Sequence, residues 1–65
     1  MTNREQIRAL KKRRRGMARG VEANKKTVRY INDKAFREEV RADIARDSRI
    51  IKQYDLEISR LKRRR

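Results

Sequence analysis

The stretch TVRYINDKAF, Thr27 to Phe36, lies near the middle of the 65-residue chain and decides its fold. One pattern of apolar residues runs into it from the N-terminal side, and a second pattern leaves it in a different register. The register shifts around Asn32 and Asp33, residue types that cap helices and tolerate turns because their side chains bond nearby backbone amides. The stretch therefore predicts a break between two helical segments.

Both halves of the chain carry residues spaced alternately by three and four, the spacing that aligns side chains along one helix face. The first row, called seam one, is Ile7, Leu10, Arg14, Met17, Val21, Asn24, Val28, Ile31 and Ala35. The second row, seam two, is Val40, Ile44, Asp47, Ile51, Tyr54, Ile58 and Leu61, with Phe36 one turn before it. Thr2 to Glu5 also fits the S/T-x-x-E capping box that starts helices. The chain has no proline and only two glycines, so we expect an all-α protein.

Two architectures satisfy these patterns within a single helical domain, residues 1–65. The first is an antiparallel helical hairpin, with helix one about 3–31, a turn about 32–33, helix two about 34–62 and a basic tail 60–65. The alternative is a broken long helix in a coiled-coil dimer. Neither proline nor glycine forces the turn, so both remain open, and we expect the hairpin.

Each seam contains one charge that an apolar interface would avoid, Arg14 in the first and Asp47 in the second. A buried charge needs a partner. One hypothesis is an ion pair between Arg14 and Asp47 that fixes the register of the hairpin. The alternative is that both side chains lie at solvated edges of a loose seam.

The composition indicates an anionic partner and excludes much chemistry. There are 22 Lys+Arg against 9 Asp+Glu, a net charge of +13, and so many like charges repel one another in a compact chain. Cysteine and histidine are absent, which removes disulfides, most zinc sites and the commonest general base. We therefore expect no enzyme activity, no cofactor and no metal. No apolar run is long enough to span a membrane, so we expect a cytoplasmic or nucleoid-associated protein, in the host cytosol if the protein is viral.

The charge is concentrated at the two ends of the sequence. Residues 1–31 hold 11 cations and 2 anions, residues 33–59 hold 6 and 7, and residues 60–65 hold 5 cations. A hairpin brings these ends together into one basic pole, which we expect to bind DNA or RNA through phosphates in a regulatory or architectural role. The candidate residues are Arg4, Arg8, Lys11, Lys12, Arg13, Arg15, Arg19, Arg60, Lys62, Arg63, Arg64 and Arg65.

Two further features of the sequence bear on nucleic-acid binding. Gly16 and Gly20 each cost about 1 kcal/mol in a helix interior relative to Ala. Three explanations are open. The glycines let a phosphate approach the backbone, or they weaken a segment that orders on binding, or they are simply tolerated on an exposed face. Tyr30 flanks seam one and is the one candidate for stacking on a base.

An acidic column on helix two, Glu39, Asp43 and Asp47, supports a competing function. Carboxylates spaced by four repel, and the candidate compensators are Arg13, Arg14, Arg46, a basic protein partner or a divalent cation. The alternative function is a virus-type, phage-like inhibitor or adaptor that docks on a polymerase, a nuclease or a capsid component. Its interface candidates are Glu39, Asp43, Asp47, Ile51 and Tyr54. A homodimer formed through the seams is a further expectation.

Overall fold

The computed structural model describes residues 2–64, which form two α-helices and no strand. Helix α1 spans Asn3–Val28, helix α2 spans Lys34–Arg63, and residues 29–33 connect them. The helices pack side by side in opposite directions, in a Cα trace 50 Å long and 14 Å wide in each other dimension. The all-α class and the helical hairpin are confirmed. The chain reverses direction, so the broken single helix of the alternative is wrong.

Helix α1 begins at the expected cap and ends earlier than expected. The Thr2 hydroxyl accepts a hydrogen bond from the Glu5 N–H at 3.2 Å, which is the threonine half of the capping box. Helix one was expected to reach residue 31, but α1 ends at Val28. Thr27, Val28, Tyr30 and Ile31 are β-branched or aromatic, and such side chains lose rotamer freedom in a helix. The Tyr30 N–H instead donates to the Thr27 carbonyl at 2.9 Å, which closes a tighter turn.

Helix α2 begins where the sequence predicts the break. Asp33 has an extended backbone, and its carboxylate accepts a hydrogen bond from the Phe36 N–H at 3.2 Å. The other end of α2 carries Arg60, Lys62 and Arg63 in its last turn, where cations interact favourably with the helix dipole. The expected basic tail is therefore helical as far as Arg63.

The two seams face each other and form the contact between the helices. Val21, Ile58 and Leu61 are buried, and the other seam residues from Ile7 to Tyr54 are mostly half-buried. Two expected members are not covered, since Ala35 is exposed and Phe36 keeps 53% of its surface exposed.

The exposure of Phe36 follows from the offset between the two helices along their axis. Arg14 of α1 lies against Asp55 of α2. At 1.5 Å per residue, α1 continues about 21 Å from Arg14 to Val28, whereas α2 runs about 32 Å from Asp55 back to Lys34. The first turns of α2 therefore extend about 10 Å past the end of α1, and no residue of α1 lies opposite Phe36.

The same offset overturns the proposed Arg14–Asp47 ion pair. A turn centred on Asn32 would set Arg14 opposite Ile51, but the observed partner is Asp55, one helical turn further along α2. Asp47 is bound instead by Arg46 of its own helix, with 3.4 Å between Nε and Oδ1. Arg14 still joins the two helices, although to a different carboxylate.

Candidate nucleic-acid interface

A groove runs between the helices at the end of the hairpin where the start of α1 lies beside the end of α2. The Asn3 side-chain amide donates to the Arg64 carbonyl at 3.3 Å, which ties this end together. The groove has a volume of about 720 Å³ and opens to solvent. Its lining residues are Arg4, Ile7, Arg8, Lys11, Arg14 and Arg15 from α1, and Asp55, Ile58, Ser59 and Lys62 from α2.

The α1 wall of the groove is a row of cations. Arg4, Arg8, Lys11 and Arg15 follow one another at spacings of four, three and four residues, so they share one side of the helix. The row is about 16 Å long, and all four residues are exposed. Arginine and lysine are good helix formers, but like charges one turn apart repel. An anion bound along the row would relieve that repulsion.

The α2 wall of the groove is chemically mixed. Asp55, Ser59 and Lys62 lie on one side of α2, beside the buried Ile58 that forms part of the floor. Asp55 is the one carboxylate among the lining residues. The groove therefore has six cations against one anion.

Arg14 and Asp55 form an ion pair across the groove. The Arg14 Nε lies 2.5 Å from Oδ1 of Asp55, and Nη2 lies 3.4 Å from Oδ2, so the guanidinium contacts both carboxylate oxygens. The side chains are 40% and 50% exposed, respectively, so water screens the pair. Among residues 2–64, Arg14 is the one groove cation with an ion-pair partner.

Five of the twelve candidate cations line this groove, namely Arg4, Arg8, Lys11, Arg15 and Lys62. The others lie elsewhere on the hairpin or outside the described residues. Arg13 lies on the opposite side near Glu57. Arg60 and Arg64 flank the exposed Leu56. Arg19 lies further along α1.

Three candidate cations remain. Lys12 and Arg63 are exposed, and Arg65 lies outside the described residues. The candidate cations are thus spread around this end of the hairpin. The largest group of them, five residues, lines the groove.

The candidate list from the sequence missed Arg14, Asp55 and Ser59. Arg14 was assigned to seam one and was not counted as a binding residue. Asp55, Ser59 and Lys62 are spaced by four and three, in parallel with Tyr54, Ile58 and Leu61 of seam two. A polar row directly beside a seam borders the helix contact, and this spacing is the signal that would have found the second wall.

None of the protein-interface candidates lines the groove. Arg46 binds Asp43 at 3.3 Å and Asp47 at 3.4 Å, so it compensates two of the three carboxylates of the acidic column, as expected. Ile51 and Tyr54 are half-buried, and Glu39 is exposed. Within residues 2–64, no group of acidic side chains is arranged to hold a metal ion.

The fold and the groove together define a two-helix hairpin with a cationic cleft at its terminal end. No protein-family model, curated protein or solved structure matches the chain. In the described part of the chain, neither helix has the apolar length that crossing a membrane requires.

Proposed function

We propose that the chain is a small basic nucleic-acid-binding protein whose groove contacts the phosphate backbone of DNA or RNA. The observation that carries the proposal is the groove itself, which gathers six cations from both helices around a single carboxylate. That carboxylate already has its partner in Arg14. The remaining five cations suit an external polyanion.

The spacing of the cations lets their fields add. Neighbouring members of the α1 row are about 5 to 6 Å apart along the helix axis. This is well inside the Debye length of about 8 Å at physiological ionic strength. A phosphate in the groove therefore experiences several cations at once, which raises both the association rate and the sequence-independent affinity.

The groove suits backbone recognition better than base reading. The long, flexible side chains of lysine and arginine can reach phosphate oxygens from several directions, and such contacts carry no sequence information. Packed helices lie about 8 to 10 Å apart, so the groove between them admits the edge of one strand and not a whole duplex. The protein is expected to bind by charge and shape.

Fluorescence anisotropy with a labelled DNA duplex, an RNA hairpin and a single strand tests the proposal. One variant replaces Arg8, Lys11 and Arg15 with Gln. A matched control replaces three exposed cations outside the groove, Lys34, Arg41 and Arg49, with Gln.

Both variants lower the net charge of +13 by the same amount. The groove variant is expected to lose at least tenfold in affinity, because three phosphate contacts are removed, while the control stays within about threefold. Weak binding by the unaltered protein to every probe would refute the proposal, and so would equal losses in both variants.

A second candidate function, protein docking, is favoured by the exposed aromatic residues at the other end of the hairpin. Tyr30 is 80% exposed in the connection, and Phe36 is exposed on the first turn of α2. They lie about 20 Å or more from the groove residue Arg15 along the helix axis. A variant with Tyr30→Ser and Phe36→Ser would impair protein docking and leave anisotropy with nucleic acid unchanged.

A further inference from the structure

The two walls of the groove offer opposite hydrogen-bonding chemistry. Lysine and arginine side chains are donors only, so the α1 wall can bind only acceptors such as phosphate oxygens. The α2 wall presents the Asp55 carboxylate, which only accepts, and the Ser59 hydroxyl, which donates and accepts. These two side chains lie one turn apart on the same side of α2, about 6 Å along its axis.

Asp55 keeps acceptor capacity after binding Arg14. An ionised carboxylate has about four lone-pair sites, and Arg14 occupies one on each oxygen. Half of the Asp55 side chain is exposed, and it lines the groove. A ligand that enters the groove therefore meets a carboxylate that can accept a further hydrogen bond.

DNA and RNA backbones differ in what they offer to such a wall. The phosphates and sugar of a DNA strand carry acceptors, so Asp55 would find no donor there and would repel the phosphates. An RNA strand adds a 2′-hydroxyl to every sugar, which both donates and accepts. The hydroxyl is thus the backbone group that complements Asp55 and Ser59.

We infer that the groove selects RNA over DNA. The phosphates of one strand bind along the α1 wall, and its ribose 2′-hydroxyls face α2, where they donate to Asp55 and bond to Ser59. The carboxylate repels phosphate from its own wall, which orients the strand. This selection rests on the proposed function, since it needs the phosphates to be held by Arg4, Arg8, Lys11 and Arg15.

The test uses the same short oligouridylate in three forms: RNA, the 2′-deoxy strand and the 2′-O-methyl strand. The methyl group removes the donor and keeps the oxygen. All three strands carry the same uracil bases, so any hydrogen bond that Asp55 accepts from the uracil N3–H contributes equally to each of them. By anisotropy at fixed salt, the unaltered protein is expected to bind RNA roughly tenfold more tightly than either other strand, the effect of one hydrogen bond to a charged group.

Two variants and a control test whether Asp55 and Ser59 cause the preference for RNA. Asp55→Ala should remove most of the RNA preference, partly by tightening binding of the 2′-deoxy strand. Ser59→Ala should reduce the preference by about threefold and touches no observed bond between the helices. Glu57→Ala removes the same charge as Asp55→Ala on the opposite side of the hairpin and should keep the preference in full.

Each outcome decides the inference. Equal affinity of the unaltered protein for all three strands, with binding still lost in the groove variant, overturns RNA selection and leaves phosphate binding in place. A preference that survives both Asp55→Ala and Ser59→Ala overturns the assignment to α2. Failure of all three strands to bind overturns the proposed function and the selection together. The comparison of strands on the unaltered protein decides the inference even if Asp55→Ala fails to fold.

Discussion

The two ends of the hairpin differ in both charge and packing. The terminal end carries the cationic groove over the buried Ile58 and Leu61. The tip, around the connection, leaves Tyr30 and Phe36 exposed, because α2 extends past the end of α1. Like charges that repel one another are thus placed beside buried apolar side chains, whose packing offsets the repulsion. The tip carries charges of both signs, in Arg29, Asp33 and Lys34, and its two aromatic side chains are not covered.

The largest expected effect comes from removing core volume at the terminal end. Ile58→Ala should lower the free energy of unfolding by about 2 to 4 kcal/mol, because Ile58 is buried between the helices. Phe36→Ala is the matched change at the tip, and its cost should stay below about 1 kcal/mol, since no part of α1 lies opposite. Urea unfolding followed by circular dichroism measures both. Equal costs would contradict the difference in packing.

A gain of stability is expected at the two glycines. An added Cβ at Gly16 or Gly20 meets nothing within 4 Å, and neither glycine has a positive φ. Gly16→Ala and Gly20→Ala should each raise the free energy of unfolding by up to about 1 kcal/mol. Neither glycine lines the groove, so affinity for nucleic acid should not change. A glycine variant that is more stable but binds nucleic acid more weakly would show instead that a phosphate approaches the backbone at these glycines.

The smallest expected effect is the coupling between Arg14 and Asp55. The pair is about half exposed, so a double-mutant cycle with Arg14→Gln and Asp55→Asn should give about 0.5 to 1 kcal/mol. The same cycle with Asp47→Asn should give no coupling. Thermal unfolding of the single and double variants measures both cycles. Coupling to Asp47 and none to Asp55 would place the helices in the register that the sequence first indicated.

The elements of the fold could be predicted from local chemistry. Thr2 caps α1, Asp33 caps α2, and the three-and-four spacing identifies the buried faces of both helices. The offset between the helices could not be predicted. It depends on where α1 ends and how residues 29–33 cross to α2, and the observed offset gives Arg14 the partner Asp55 and not Asp47.

The charge of the candidate interface could be predicted from the sequence, but the shape of the groove could not. The cations of the α1 wall follow from the concentration of Lys and Arg in residues 1–31. The α2 wall depends on the register, because only the observed offset sets Asp55 and Ser59 opposite this row. From the sequence, the basic pole is a single region of positive charge. In the structure, five of its cations line a groove, and the others lie on the surface around it.

The salt dependence of binding tests the central claim most directly. If the five groove cations other than Arg14 each neutralise one phosphate, log K for single-stranded RNA should fall with log salt at a slope of about −3 to −4. Replacing Arg8, Lys11 and Arg15 with Gln should make this slope shallower by about 2. Replacing Lys34, Arg41 and Arg49 with Gln should leave it unchanged. The same change of slope in both variants would mean that the ligand senses the net charge of the protein and not the groove.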